Sequence, residues 1–425
     1  MKLEILGGRL VDPAQGLDQH ADLFIEAGRI LAIGERPAGF VADRSIQAQG
    51  CVVTPGLVDL CATLRSKLNA RMATELKAAV KGGVTSLCCP PDGGPINDTA
   101  AVTSLLREQA RDLRLARVFP IGALTQGLQG EQLSEMFGLK AAGCHMVSNV
   151  RHPVLNNRVL RRCLEYARTQ DLTVGFCPED HALAADGCVN EGFIGTRLGL
   201  NGIPAVAETL AVAEALLLME DTGVRAHFSQ ISTARSVELI AQAQQRGLPV
   251  TADVAIHQLL LTDRVLDSFD SRYHLHPPLR TEKDRDALRQ GVRDGVIQAI
   301  CSQHQPLELA DKQAPFAETA PGMIGLETLL PLTLRLVEEG VLSLQRAIEA
   351  LTVGPARVVE LELGVLEPGR VADICVFDPA AQWVLTEKAL VSAGKNTPFL
   401  NESLTGQVCY TLVDGRVVYE AEIAT

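Results

Sequence analysis

Along this chain the spacing of apolar positions changes character twice. Residues 1–53 alternate in the manner of strands: Leu3-Glu-Ile-Leu6, the pair Gly7-Gly8, then Arg9-Leu-Val-Asp12. Two further runs, 21–28 and 29–34, read as a hairpin turning at Ala27-Gly28, and no helix is predicted. From Pro55 onward short apolar runs alternate with amphipathic stretches, which is the pattern of a βα repeat. Val52 to Leu60 reads as a buried strand. The spacing then predicts a helix over 73–81, stopped by Gly82-Gly83, a strand over 84–89 and a helix over 99–112. Strands starting at Val118 and Cys144 lead to helices over 131–142 and 154–170. A strand over 173–177 is followed by a long loop and a helix over 205–222. Strands from Ala226 and Val250 lead to a helix over 234–246 and to a mixed segment, and a strand over 297–301 precedes a helix over 325–340. After Arg357 the strand texture returns, in 369–378 and 405–419, with Asp414-Gly415 as a hairpin signal.

Eight strand–helix steps fit between Val52 and Arg357. Eight parallel strands, each followed by a helical segment, close into an α/β (β/α)8 TIM barrel with reactive residues at the strand C-terminal ends. The expected layout is therefore a barrel over 54–356 flanked by a small β-sandwich, built from 1–53 and 357–425.

Composition narrows the functional classes. Of 425 residues, 47% are hydrophobic and 21% charged, enough apolar material for a large core. A net charge of −12 with no basic run argues against nucleic acid and against an anionic membrane surface. No apolar run reaches the ~18–20 residues of a membrane helix, and the start runs straight into strand-like sequence, so cytoplasm is the expected location. The eleven cysteines include no Cys-x-x-Cys pair, so most are expected to be small buried hydrophobes rather than disulfide partners or zinc-ribbon ligands.

The stretch Thr54-Pro-Gly-Leu-Val-Asp-Leu-Cys-Ala-Thr-Leu-Arg65 resembles the first barrel strand of the amidohydrolase superfamily, most closely that of the dihydroorotases. The resemblance covers nearly the whole chain. It extends to Gly202-Ile-Pro-Ala-Val-Ala-Glu, Ile231-Ser-Thr-Ala-Arg-Ser-Val-Glu, Pro277-Pro-Leu-Arg, Gly325-Leu-Glu-Thr-Leu-Leu-Pro-Leu and Gly394-Lys-Asn-Thr-Pro-Phe. Membership implies a site with one or two zinc ions, held by a His pair, a bridging acid or carboxylated Lys and two further His, with an Asp as base. Zinc-bound hydroxide needs several imidazoles and carboxylates converging around one open position.

Against that frame, the His-x-His places hold Cys61 and Thr63, and the Arg that follows is kept as Arg65, which the resemblance assigns to a substrate carboxylate. The Ser-Asp-Asp frame after the fourth strand reads Ser148-Asn149-Val150, and Lys140 lies too early to bridge. The fifth-strand His is Cys177, the sixth-strand His is Gln230, and the general base on the eighth is Gln303. Substrate-holding places have changed too, with Pro91 and His276 where the family has Asn. His304 and His227 read as structural histidines, and Asp92-Gly93-Gly94 as a loop.

The expectation is a retained fold without the chemistry: no catalytic residues, no zinc, and a residual ligand-binding role for Arg65 at most. Inactive homologues of this kind look like assembly partners of the aspartate carbamoyltransferase catalytic chain in pyrimidine synthesis, so a hetero-oligomer with some self-association is the partner reading the resemblance implies. Two alternatives stay open: a divergent zinc amidohydrolase rebuilt around Cys61, Cys177 and His304, and a carboxylate sensor reading its ligand through Arg65.

Overall fold

The computed structural model of the chain describes residues 1–64 and 72–422. Strand Lys2–Asp12 runs antiparallel to Leu17–Glu26 and shares its other edge between two parallel partners. Leu3 to Leu6 pair with Arg44–Gln47, and Arg9 and Leu10 pair with Val52–Pro55. The change of partner falls beside Gly7, whose φ of 71° lets the strand bulge without a Cβ penalty. Val52–Pro55 continues antiparallel to Ile374–Val384, and Ser403–Val413 and Arg416–Glu420 follow. Both chain ends thus join in one branched eight-stranded sheet. Leu3, Ile5, Val53, Ile374 and Leu412 give it an apolar core of its own. Two of its hairpins turn at Ala27-Gly28 (φ 51° and 82°) and Asp414-Gly415 (φ 51° and 65°), the left-handed pairs that match strand twist.

The barrel strands are Leu57–Asp59, Val84–Cys89, Arg117–Pro120 continued by Gly122–Ala123, Met146–Ser148, Thr173–Phe176, Ala226–Phe228, Val250–Ala255 and Ala299–Cys301. They pair in parallel, and the ring closes where the Thr63 N–H donates to the His304 carbonyl at 2.8 Å and the His304 N–H donates to that of Cys61 at 3.1 Å. Leu60, Cys88, Ile121, Met146, Ala299 and Cys301 fill the interior, so two of the cysteines serve as compact core residues. Outside the ring, residues such as Leu76, Leu164, Val174, Ile240 and Ile300 pack strands against helices. Each such side chain stabilises the fold by about 1.5–3 kcal/mol through burial.

Three helices start later than their apolar spacing suggests, each for a reason of hydrogen bonding. The helix expected over 131–142 is Met136–Ala142, because the Ser134 hydroxyl donates to the Ala123 carbonyl and Glu135 caps Gly138 N at 2.8 Å. The one expected over 154–170 is Asn157–Thr169, with Asn156 Oδ1 accepting from Arg158 N at 3.0 Å. In the last, Gly325 N donates to His304 Nδ1 at 3.1 Å, and the helix begins only at Leu329. Arg117 on the third barrel strand ties barrel to sheet, its Nη2 donating to Asp373 at 2.9 Å and Asp414 at 2.7 Å. Among the described residues no helix is long and apolar enough to cross a membrane.

Candidate functional site

At the C-terminal ends of the barrel strands lies a cavity of about 610 Å³, bordered by Cys61, Thr63, Arg151, Cys177, Gln230 and Gln303 among others. Two of these residues sit where a strand breaks into its loop in a left-handed conformation: Gln230 at φ 57° and Gln303 at φ 49°. Val150, also on the rim, has φ 45°, a costly state for a β-branched residue. Such backbones persist where the surroundings over-determine them, and here they aim the two glutamine side chains at each other.

The result is a closed hydrogen-bond chain. Gln303 Nε2 donates to Gln230 Oε1 at 2.6 Å and to the His276 carbonyl at 2.7 Å. Arg151 Nη2 donates to the same two oxygens, at 2.7 and 2.8 Å. Gln230 Nε2 in turn donates to Cys61 Sγ at 3.0 Å. Its backbone N–H is held by Asp253 Oδ1 at 2.8 Å, on the seventh strand.

Beneath this layer several polar groups are buried and hydrogen-bonded. Asp59 accepts from both the N–H (2.8 Å) and the hydroxyl of Ser302, and burial still raises its carboxyl to about 6. His227 bridges Thr251 and Asp253, with both contacts at 2.8 Å. Nε2 of His304 lies 2.9 Å from Glu75 Oε2, while its Nδ1 accepts from Gly325, so this imidazole joins the eighth strand to a barrel helix. Burial works to raise Glu75, but the His304, Ser392 and Ala393 donors outweigh it and hold the carboxyl below its usual range. At the rim His276 Nε2 lies 2.7 Å from Glu179. Burial, with Arg151 nearby, lowers the imidazole. Glu179 is pushed up by burial but brought down further by its cationic and hydrogen-bonding neighbours. Both shifts favour a neutral imidazole donating to a carboxylate.

The residues present do not fit a zinc ion. Threonine is a poor ligand, and the oxygen of Gln230 already accepts from a guanidinium and an amide. Burial pushes the Cys61 thiol far up, with Asp59 and Asp253 adding to it, and raises Cys177 to about 11, so neither offers a thiolate near neutrality. Among the described residues no three His, Cys, Asp or Glu side chains are placed to hold a metal together.

Of the positions singled out in the sequence, Cys61, Thr63, Cys177, Gln230 and Gln303 share the one cavity. Asn149 does not join them. Its Oδ1 accepts from Thr125 N (3.1 Å) and Oγ1 (2.8 Å), and its amide donates to the carbonyls of Leu128 and His152, which turns the side chain away. Lys140 caps the Asp171 carbonyl at 2.8 Å, on the outside of the barrel. Arg65 lies outside the described residues. Arg151, Asp253 and the pairing of Glu179 with His276 are the parts of the site that motif comparison did not bring out. The signal for Arg151 was only its place directly after the altered Ser148-Asn149-Val150 frame.

A family model described as Dihydro-orotase-like matches residues 50–236. The chain is 51% identical over 423 residues to a protein of Pseudomonas aeruginosa named "Dihydroorotase-like protein", covering 99% of this chain and 100% of that one. It is 43% identical over 422 residues to a protein of Syntrophotalea carbinolica named "Dihydroorotase", covering 99% of each. In three dimensions it is similar to an L-hydantoinase from Arthrobacter aurescens, with TM-score 0.88 and 24% identity over 98% of this chain and 96% of that one, a likeness of fold.

Proposed function

The chain belongs to the dihydroorotase-like family of the amidohydrolase superfamily, and on that premise we propose that it is a member without hydrolytic activity, kept as a cytoplasmic assembly subunit. The observation that carries this reading is the Gln303–Gln230 bond of 2.6 Å. It joins the place of the catalytic base to the place of a metal ligand, and two neutral amides neither activate water nor bind zinc with useful affinity. Arg151 supplies a fixed positive charge at that point, so the pocket is held together without a metal.

The partner proposed is the aspartate carbamoyltransferase catalytic chain, as the resemblance implies. Support for an assembly role comes from the helix Ala205–Thr222, whose outward stripe carries Val206 (51% exposed), Leu210 (48%) and Leu217 (68%). These positions fall on one face, where an apolar stripe left in water marks a contact surface. Two assays on the purified chain test the reading. Dihydroorotate and carbamoyl-aspartate should not interconvert, with or without added zinc, and sedimentation with the carbamoyltransferase chain should give a mixed complex. Zinc-dependent turnover would overturn the first part, and independent sedimentation the second.

One observation favours a second reading, a carboxylate sensor: the Arg151 guanidinium borders an open cavity. Calorimetry with orotate and carbamoyl-aspartate, on the wild-type chain, Arg65→Ala and Arg151→Ala, separates the readings. Heat lost in either variant supports the sensor, and flat traces for the wild-type chain remove it.

A further inference from the structure

Two cysteines far from the barrel mouth and 358 positions apart in sequence bring their sulfurs within 4.0 Å. Cys51 sits at the foot of the strand Val52–Pro55, its backbone pinned by Cys51 N to Ala48 O (2.9 Å) and Arg9 N to Cys51 O (3.0 Å). Cys409 lies in Ser403–Val413 at a bulge, because Phe377 pairs with Val408 while Val376 pairs with Tyr410. Phe377 also pairs with Val52, so the two cysteines flank one strand of the end sheet and meet across it.

None of the eleven cysteines is in a disulfide, but they are not alike. Seven are buried, and Cys61 and Cys177 are held as thiols by burial at the pocket. Cys51 and Cys409 are both partly open to solvent. Hydrogen bonding between them holds the Cys51 thiol up and brings Cys409 down to about 7. A partly exposed thiolate beside a second thiol is the arrangement of a redox-responsive pair.

We propose that Cys51 and Cys409 form a reversible disulfide that covalently ties the two chain ends when the surrounding thiol pool is oxidised. The oxidant is a low-molecular-weight disulfide such as oxidised glutathione. The Cys409 thiolate attacks one sulfur of that disulfide, forming a mixed disulfide and releasing one small thiol. Cys51 then loses its proton and attacks Cys409 Sγ, forming the protein S–S bond and expelling the second small thiol. The protein gives up two protons and two electrons, and the small disulfide takes up both. In a reducing cytosol the pair stays open, and oxidation closes it.

The test incubates the reduced full-length chain with oxidised glutathione, counts free thiols and maps cross-linked peptides by mass spectrometry. The expected result is the loss of two thiols per chain, one peptide pair joining Cys51 to Cys409, and full reversal by reduced glutathione. The tied form should melt several degrees higher, since the closed loop restrains the unfolded chain. Cys51→Ser should instead retain one glutathione on Cys409, and Cys409→Ser should leave Cys51 unmodified. Glutathione persisting on Cys409 in the wild-type chain, a cross-link through other cysteines, or no thiol loss in the folded wild type would each overturn the inference.

Discussion

Gln303 and Gln230 are bonded to each other, amide to amide, at 2.6 Å across the mouth of the barrel. The sequence resemblance sets one at the place of a general base and the other at the place of a metal-binding imidazole. Their left-handed backbones, at φ 49° and 57°, remain from a geometry that aims side chains into the pocket. On the reading proposed above, the loop positions are kept while the groups they carry do not support hydrolysis.

Single restorations should therefore fail. Cys61→His returns one imidazole to a site that needs several ligands together, and Gln303→Asp returns a base with no metal-bound water to act on. Both variants are expected to show no dihydroorotase turnover in a zinc-supplemented assay.

Arg151→Ala removes the guanidinium that donates to Gln230 Oε1 and the His276 carbonyl. Hydrogen bonds from charged donors contribute about 1.5–3 kcal/mol each, and partial solvent access at the rim reduces this. A loss of about 2 kcal/mol in urea unfolding is expected, with Arg151→Lys intermediate because an ammonium lacks the planar fork.

Acid sensitivity has an assignable source. Burial lowers His257 from 6.5 to about 3 and His274 to about 4, so the unfolded chain takes up protons at both sites first. Their contribution is complete above pH 6.5 and declines as pH falls toward these values. Asp59 acts oppositely: raised from 3.8 to about 6, it is protonated in the fold before the unfolded chain and gains stability over that interval. His257 has neither ring nitrogen hydrogen-bonded to protein, so His257→Leu removes one acid-sensitive group without breaking a bond. Relative to wild type, the variant should gain about 1.4 kcal/mol per pH unit as pH falls from 6 to 4, read from denaturation midpoints. Parallel pH profiles would contradict the assignment.

Charge placed on the outer helix should act on assembly alone. Leu210→Glu and Leu217→Glu alter side chains that are 48% and 68% exposed, so folding should change by less than about 0.5 kcal/mol. Complex formation with the carbamoyltransferase chain should weaken at least tenfold by sedimentation, since a buried unpaired carboxylate costs several kcal/mol. Equal binding by both variants would move the contact to another face.

Much of this architecture is legible in the chain because burial writes it there: the strand Val84–Cys89 is buried throughout and carries no charge, and Gly82-Gly83 ends the helix before it. The helix starts at Met136, Asn157 and Leu329 were harder to read. Side-chain caps and a histidine acceptor decide them, and these compete with apolar spacing locally. At the site, each departure from the family frame is visible in the sequence one position at a time. The contacts made there are not, because Arg151 reaches Gln230 across 79 positions and Glu179 finds His276 only in the folded ring. Asn149 kept its place in the frame but turned to Thr125, a choice made by a neighbouring strand.

Zinc content decides most directly whether the hydrolytic centre has been dismantled. The chain would be purified with zinc present, dialysed, and its metal measured per chain by elemental analysis. Near zero is expected, since amides, a threonine and protonated thiols occupy the ligand positions. One or two zinc ions per chain would mean that the cysteines have rebuilt a metal site, and would contradict the assignment of a non-catalytic subunit.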